Sequence, residues 1–483
     1  MQFQIIIKIL GLLLMVYSLS LLPPIAVALI YQDGALIAFL SAMVLTQVTG
    51  LSLWLPNRKH KRELKIRDGF IIVVMFWTAL GLVGALPFLL EEEVPISISD
   101  AIFESFSGLT TTGATILSGL DTMPHAILWY RQQLQWLGGM GIIVLAVAIL
   151  PLLGIGGMQL YRAEMPGPAK DNKLAPRISE TAKTLWLIYV ALTIACATAY
   201  WFAGMSWFDA IGHSFSTVAI GGFSTHDASI GYFDSQVIES IAVFFMFLAG
   251  ANFALHFRAF RSLAVKPYLF DPEFRTYVMV LLIGIAISTS YLYFQDVYSS
   301  LSDSFRYGLF MTVSIATTTG YGNADFAMWP GFLPVMLIFM SFIGGSAGST
   351  GGGMKVIRFL LLFKQGIREI QRLMHPNALM PVKLSGRAIP ERVMSSVWGF
   401  FALYVATFAI ILLALMALGM DQVTAFSATA ATLNNLGPGL GEVAANFGGI
   451  NDPQKWILTF SMLLGRLEIF TLLVILTRTF WRA

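Results

Sequence analysis

The chain is 483 residues long, 57% hydrophobic and 12% charged, with a mean hydropathy of +0.74 and a formal net charge of +3. That balance excludes an ordinary soluble domain and points to a polypeptide that lives in lipid. A single cysteine, Cys196, lies in an apolar run, so no intrachain disulfide can form and a buried structural thiol is expected.

Apolar runs near the bilayer-crossing length of about 20 residues occur at 3–30, 35–55, 70–90, 126–152, 184–203, 236–256, 276–294, 331–360, 394–418 and 455–477, which gives an expectation of ten spans. The first run follows Lys8 but is too long for a cleaved signal and continues into a second span, so it reads as a retained helix. Lys and Arg number six in 57–68, five in 158–183, four in 257–275, eight in 355–392 and two in the C-terminal tail, all on one side of the spans. The positive-inside rule makes that side cytoplasmic and places both termini there. Glu91, Glu92, Glu93, Asp121, Asp227 and other carboxylates fall on the opposite side, where they would draw cations toward an opening.

After an N-terminal helix pair with its basic loop (1–68), the remaining spans fall into four pairs, at 69–182, 183–275, 276–392 and 393–483. Between the members of each pair lies an apolar stretch too short to span, from Ile98 to Leu109, Trp207 to Val218, Leu301 to Ala316 and Val423 to Leu433. Such lengths suit re-entrant or interfacial helices. Each stretch runs into a glycine strip: Thr110-Thr111-Thr112-Gly113-Ala114, Ala219-Ile220-Gly221-Gly222-Phe223, Thr317-Thr318-Thr319-Gly320-Tyr321 and Asn434-Asn435-Leu436-Gly437-Pro438. The first two units align without gaps, with Asp100 and Asp209 each 13 residues before the strip glycine, at positions expected to cap the short helices. The expected fold is an all-α integral membrane protein, with two N-terminal helices and four helix–pore-helix–filter–helix repeats around a pseudo-fourfold pore. Non-helical backbone at membrane depth is tolerated where it lines such a cavity.

Thr318 to Gly322 reads T-T-G-Y-G, one residue from the T-V-G-Y-G loop with which potassium channels strip and coordinate K⁺. A dehydrated monovalent cation is held by backbone carbonyls that all point one way, a conformation for which glycine is suited. The carbonyls expected to face the ion are those of Thr111 and Thr112 beside Gly113, Ile220 and Gly221 beside Gly222, Thr318 and Thr319 beside Gly320, and Asn435 and Leu436 beside Gly437. Only the first and third strips are rich in threonine, so the site would be less symmetric than a tetrameric filter. The strips therefore point to a cation pathway, and no organic cofactor is expected in the chain.

The four strips, with Trp136-Leu137-Gly138-Gly139-Met140-Gly141, resemble the superfamily of Trk, Ktr and HKT potassium transporters over essentially the whole chain. The resemblance implies four channel-like repeats, K⁺ uptake across the bacterial inner membrane and a homodimer. In related plant transporters serine in place of the first filter glycine goes with Na⁺ permeation, so Gly113 favours K⁺.

The eighth span is interrupted by Gly344, Gly345, Gly348, Gly351, Gly352 and Gly353, six glycines in ten residues, a run that helix propensity disfavours. A kinked helix and a phosphate loop are the competing readings, and Lys355 after Met354 spoils the latter's G-K-[ST] ending. By resemblance the segment is the family's intramembrane loop, which obstructs the pore until it moves. Arg466 interrupts the last span; a partner two residues away, Glu468, does not share its helix face, so Arg466 is expected to face the pore or that loop, as the matching arginine does in the family.

Basic inner segments attract anionic lipid, and the largest, 355–392, also suits a cytosolic regulator. The chain carries no nucleotide-binding fingerprint, and the resemblance implies a separate nucleotide-binding partner, TrkA, built of Rossmann-type domains. No nucleic-acid partner is expected. Six scattered histidines without HExxH spacing argue against an enzyme. Within transport, the rival to a gated channel is a symporter coupling K⁺ to Na⁺ or H⁺.

Overall fold

The computed structural model describes residues 2–60, 66–144 and 178–482. Six of the described helices are long and apolar enough to cross a bilayer, Phe3–Tyr31, Leu36–Asn57, Arg67–Leu90, Lys183–Phe202, Pro272–Phe294 and Glu391–Ala417, and eight meet the test when each bent pair counts as one. Two of the ten expected runs are not counted among these described helices. His125–Val144 carries four polar side chains, Arg131, Gln132, Gln133 and Gln135, all buried within the protein. The remainder of that run, 145–152, and the basic segment up to 177 lie outside the described residues. The run 331–360 is not one helix: Leu333–Ile343 stops after 11 residues, 344–355 is irregular, and an amphipathic helix resumes at Val356–Met374.

One break was expected from sequence; among the described residues two further runs bend by more than 40°. Gln236–Ala249 meets Phe253–Ser262 at 94°, and Asp452–Arg466 meets Phe470–Leu476 at 113°. At the first bend Asn252 starts a new helix by accepting from Ala254 N at 2.8 Å. At the second, Glu468 and Ile469 adopt φ of 55° and 48°, a left-handed turn that no α-helix continues through.

The N-terminal helices Phe3–Leu19 and Leu36–Asn57 pack through Gly11 and Gly50. A Cβ on Gly11 would lie 2.7 Å from the Gly50 carbonyl oxygen, and one on Gly50 2.8 Å from that of Gly11, the close approach that small residues permit in lipid. Tyr17 joins this pair to the rest by a 2.8 Å bond to Tyr130, whose hydroxyl also lies 2.8 Å from the Gly84 carbonyl oxygen.

The four short helices are Ile98–Leu109, Trp207–Ala219, Leu301–Ala316 and Gln422–Leu433. Serines, not the aspartates, cap the first three. Ser97, Ser206 and Ser300 accept from the backbone N–H of Asp100, Asp209 and Asp303 and donate to those carboxylates at 2.8, 2.7 and 2.7 Å. The aspartates therefore occupy the third helical position, where negative charge complements the helix dipole. Only Asp421 caps directly, accepting from Val423 N and Thr424 N.

Candidate functional site

Each short helix ends where its strip begins, and the four strips share one backbone conformation. The residues two before the glycine, Thr111, Ile220, Thr318 and Asn435, have φ of 49°, 55°, 68° and 53°; Gly113, Gly222, Gly320 and Gly437 follow with 82°, 80°, 84° and 101°. Left-handed backbone at alternate positions turns successive carbonyls toward the same side, at a cost of about 1–3 kcal/mol for each residue that carries a Cβ. The strips also touch in a closed order. A Cβ added to Gly113 would strike the Gly221 carbonyl oxygen, one on Gly222 that of Thr319, one on Gly320 that of Leu436, and one on Gly437 would lie 2.8 Å from that of Thr112. All four glycines line a single cavity of about 350 Å³, together with Arg131, His226, Asp227 and Phe447.

All twelve residues expected in the strips are thus brought together, with one difference in detail. The Gly221 carbonyl accepts from Gln135 Nε2 at 2.6 Å, and Gln135 Oε1 accepts from Phe223 N at 3.1 Å. Gln135 therefore clamps the second strip on both sides of Gly222, and one carbonyl expected to serve an ion already has a donor.

Trp136-Leu137-Gly138-Gly139-Met140-Gly141 lies in His125–Val144. Gly138 lets that helix touch the Leu109 carbonyl at the end of the first short helix, and Gly139 sits 3.1 Å, at its would-be Cβ, from the Ala219 α-carbon at the end of the second.

The opposite side of the strips is covered by 344–355. Gly352 N donates to Thr318 Oγ1 at 2.7 Å, Gly353 N to the Asn434 carbonyl at 3.0 Å, and Thr350 Oγ1 to the Val218 carbonyl at 3.0 Å. The segment thus reaches the second, third and fourth short-helix ends. Arg466 supplies the link to the first: its Nη2 donates to Thr111 Oγ1 at 2.6 Å and to the Thr350 carbonyl at 3.2 Å. Its Nε is buried without a hydrogen-bond partner among the described residues. Glu468 turns away from it and pairs with Arg358 at 2.7 Å. Gly344, Gly348 and Gly353 have φ of 68°, 72° and 72°; a Cβ on Gly352 would strike the Asn434 carbonyl oxygen.

Sequence reasoning missed the ionic braces around the strips. Arg131 and Glu104, both fully buried, pair at 2.7 Å; Arg131 also donates to the Ser224 carbonyl at 3.0 Å and to Thr115 Oγ1 at 2.9 Å, while the Glu104 carboxylate accepts from Ile116 N at 3.0 Å. Arg306 bridges to Glu239 at 2.7 Å and Asp234 at 3.0 Å. Lys455 pairs with Asp100 at 2.6 Å, tying the last unit to the first. A signal for them existed: Arg131, Arg306, Lys455 and Arg466 are the four basic residues outside the N-terminus and the basic inner segments.

At the cavity lined by the four strip glycines, His226 Nδ1 lies 2.5 Å from Asp121 Oδ1, its Nε2 3.5 Å from Asp209 Oδ1, and its ring stacks on Tyr232 at 3.5 Å. Partial burial disfavours the charged imidazole, but the Asp209 and Asp121 carboxylates outweigh it and raise His226 above the ordinary histidine value.

Spanning-length apolar helices, with four short helices whose glycine-bearing ends meet at one cavity, define a multi-pass membrane transport protein. The TrkH family model, described as a cation transport protein, matches residues 35–480, and the chain belongs to that family. It is 60% identical over 485 residues to the Trk system potassium uptake protein TrkH of Vibrio parahaemolyticus, and 60% identical over 482 residues to that of Escherichia coli strain K12, covering 100% of each pair. The crystal structure of the potassium transporter TrkH from Vibrio parahaemolyticus superposes with a TM-score of 0.93 at 57% identity, over 100% of both chains. These relatives are named as transporters, in keeping with the expectation that the chain is not an enzyme.

Proposed function

We propose that the chain takes up K⁺ across the bacterial inner membrane through a gated, channel-like pore made by four repeats of one polypeptide, with both termini cytoplasmic. The observation that carries this reading is the closed order of contacts among the four strips, Gly113 to Gly221, Gly222 to Thr319, Gly320 to Leu436 and Gly437 to Thr112, around one cavity. Carbonyls held in such a ring replace the hydration shell of a monovalent cation. The units 69–182, 183–275, 276–392 and 393–483 are the repeats. The potassium uptake named for the 60% identical relatives supports K⁺ as the ion.

The gate is 344–353 with Arg466. The segment's bonds to Thr318 and Asn434 support a plug beneath the ring, and a guanidinium at that depth raises the barrier for any cation leaving the strips. By family resemblance the working unit is a homodimer controlled by the nucleotide-binding subunit TrkA, docked on the basic face.

Gly113→Ala tests the pore. A methyl group there strikes the Gly221 carbonyl, so ⁸⁶Rb⁺ uptake by the inserted variant should be abolished; uptake at the wild-type rate refutes the ring as the pathway. Reversal potentials in liposomes, with and without Na⁺ and pH gradients, separate a channel from a symporter coupled to either ion.

A further inference from the structure

The helix after the bend in the second unit, Phe253–Ser262, leaves its span at 94°, an angle that turns it toward the plane of a bilayer the span crosses, and the turn Lys266–Leu269 follows it. Its free face mixes two kinds of side chain. Phe260, Leu263, Val265, Leu269 and Phe270 are 62–90% exposed, and Arg261, Lys266 and Arg275 are exposed beside them. Apolar groups interleaved with cations on an in-plane element match the boundary between anionic headgroups and acyl chains.

The segment is braced internally and fastened to the glycine loop at both ends. His256 bridges Tyr268 Oη at 2.6 Å and the Leu248 carbonyl at 2.9 Å, and Arg258 lies 4.0 Å from Asp271. Phe253 N donates to the Gly348 carbonyl at 3.0 Å, and Glu273 Oε1 accepts from Ala347 N at 2.6 Å. Just before the bend, the Gly250 carbonyl accepts from Ser346 N at 2.9 Å. Two adjacent loop residues are thus held by the two ends of one lipid-facing element.

We propose that anionic phospholipid headgroups bind Arg261, Lys266 and Arg275 and, through the bonds to Ala347 and Gly348, hold the glycine loop in its present position. The consequence for ion flux rests on the loop being the gate; the binding and the hold on the loop do not. Charge complementarity favours lipid over a protein partner, because the bulky exposed groups between the cations are aromatic and aliphatic.

The test uses the full chain in vesicles of phosphatidylcholine alone and of phosphatidylcholine with phosphatidylglycerol, comparing wild type with R261Q/K266Q. Arg258 is left intact because it sits near Asp271. Wild type should retain phosphatidylglycerol preferentially, and the double variant should lose that preference on the order of tenfold. Deuterium uptake by the 344–353 amides should slow in phosphatidylglycerol for wild type and not for the variant, with equal uptake by both in phosphatidylcholine. ⁸⁶Rb⁺ flux should then fall with phosphatidylglycerol in wild type alone. Equal lipid retention by the two proteins, or loop exchange that ignores phosphatidylglycerol, overturns the proposal. So does a variant that keeps its lipid response but no longer binds a cytosolic regulatory subunit. Loop exchange that responds while flux does not leaves the lipid contact standing and refutes the gate.

Discussion

Arg466 holds two acceptors of different kinds, a hydroxyl on the first strip and a carbonyl on the loop beneath it. Removing the side chain deletes both bonds and the charge, so Arg466→Ala should raise K⁺ flux severalfold in liposomes; unchanged flux in a well-inserted variant counts against its place in the gate. Gln135 acts on the second strip. Gln135→Met frees the Gly221 carbonyl and leaves Phe223 N without its acceptor, and the looser second strip should discriminate less between K⁺ and Na⁺ in bi-ionic reversal potentials. His226 makes a pH-dependent contribution. Its folded value is raised, so the stability from its contacts with Asp121 and Asp209 is complete below the ordinary histidine value of 6.5 and is lost as pH rises through the folded value. The thermal midpoint of wild type should therefore fall more steeply than that of His226→Gln between about pH 6 and pH 9. At this scale the strips were legible from sequence because glycine and threonine advertise backbone chemistry. Gln135 was not, because a glutamine within an apolar helix names no partner.

Among the elements, the short helices show how brief segments stay in register. The Ser-x-x-Asp starts at Ser97, Ser206 and Ser300 satisfy the first free N–H groups, and the C-terminal ends release the chain into left-handed turns at Thr111, Ile220 and Thr318. The first is also fixed laterally by Glu104. Taking one member from a buried ion pair costs about 3–5 kcal/mol, whereas replacing both with apolar groups costs far less. Glu104→Gln should accordingly lower the thermal midpoint much more than the pair Glu104→Leu with Arg131→Met. The glycine run at 344–353 announced its own break, since six glycines do not sustain a helix. The bends at 250–252 and 467–469 were hidden: Asn252 reads as an ordinary polar residue, and nothing in Leu467-Glu468-Ile469 signals a left-handed turn.

For the whole molecule, the two largest apolar cores join unequal partners. One combines the N-terminal pair mainly with the first and last units, the other the second and third with Ala430, Leu436 and Leu440 of the last. The N-terminal helices pack on this frame beside His125–Val144, where Tyr17 bonds Tyr130. Gly50→Val should therefore lower the thermal midpoint while leaving the K⁺/Na⁺ reversal potential as it is; a changed reversal potential would show that the pair shapes the ring. Long-range closure, such as Lys455 with Asp100, was beyond sequence reasoning, because residues 355 positions apart meet only once the chain has come full circle. That closure within one polypeptide has a genetic corollary. In an assembly of four identical chains one codon change alters every quadrant at once, whereas in the pore proposed above it alters a single quadrant. Ile220-Gly221 and Asn435-Leu436 could thus diverge from Thr111-Thr112 step by step, each inherited change adjusting selectivity by a fraction of what a symmetric ring would suffer.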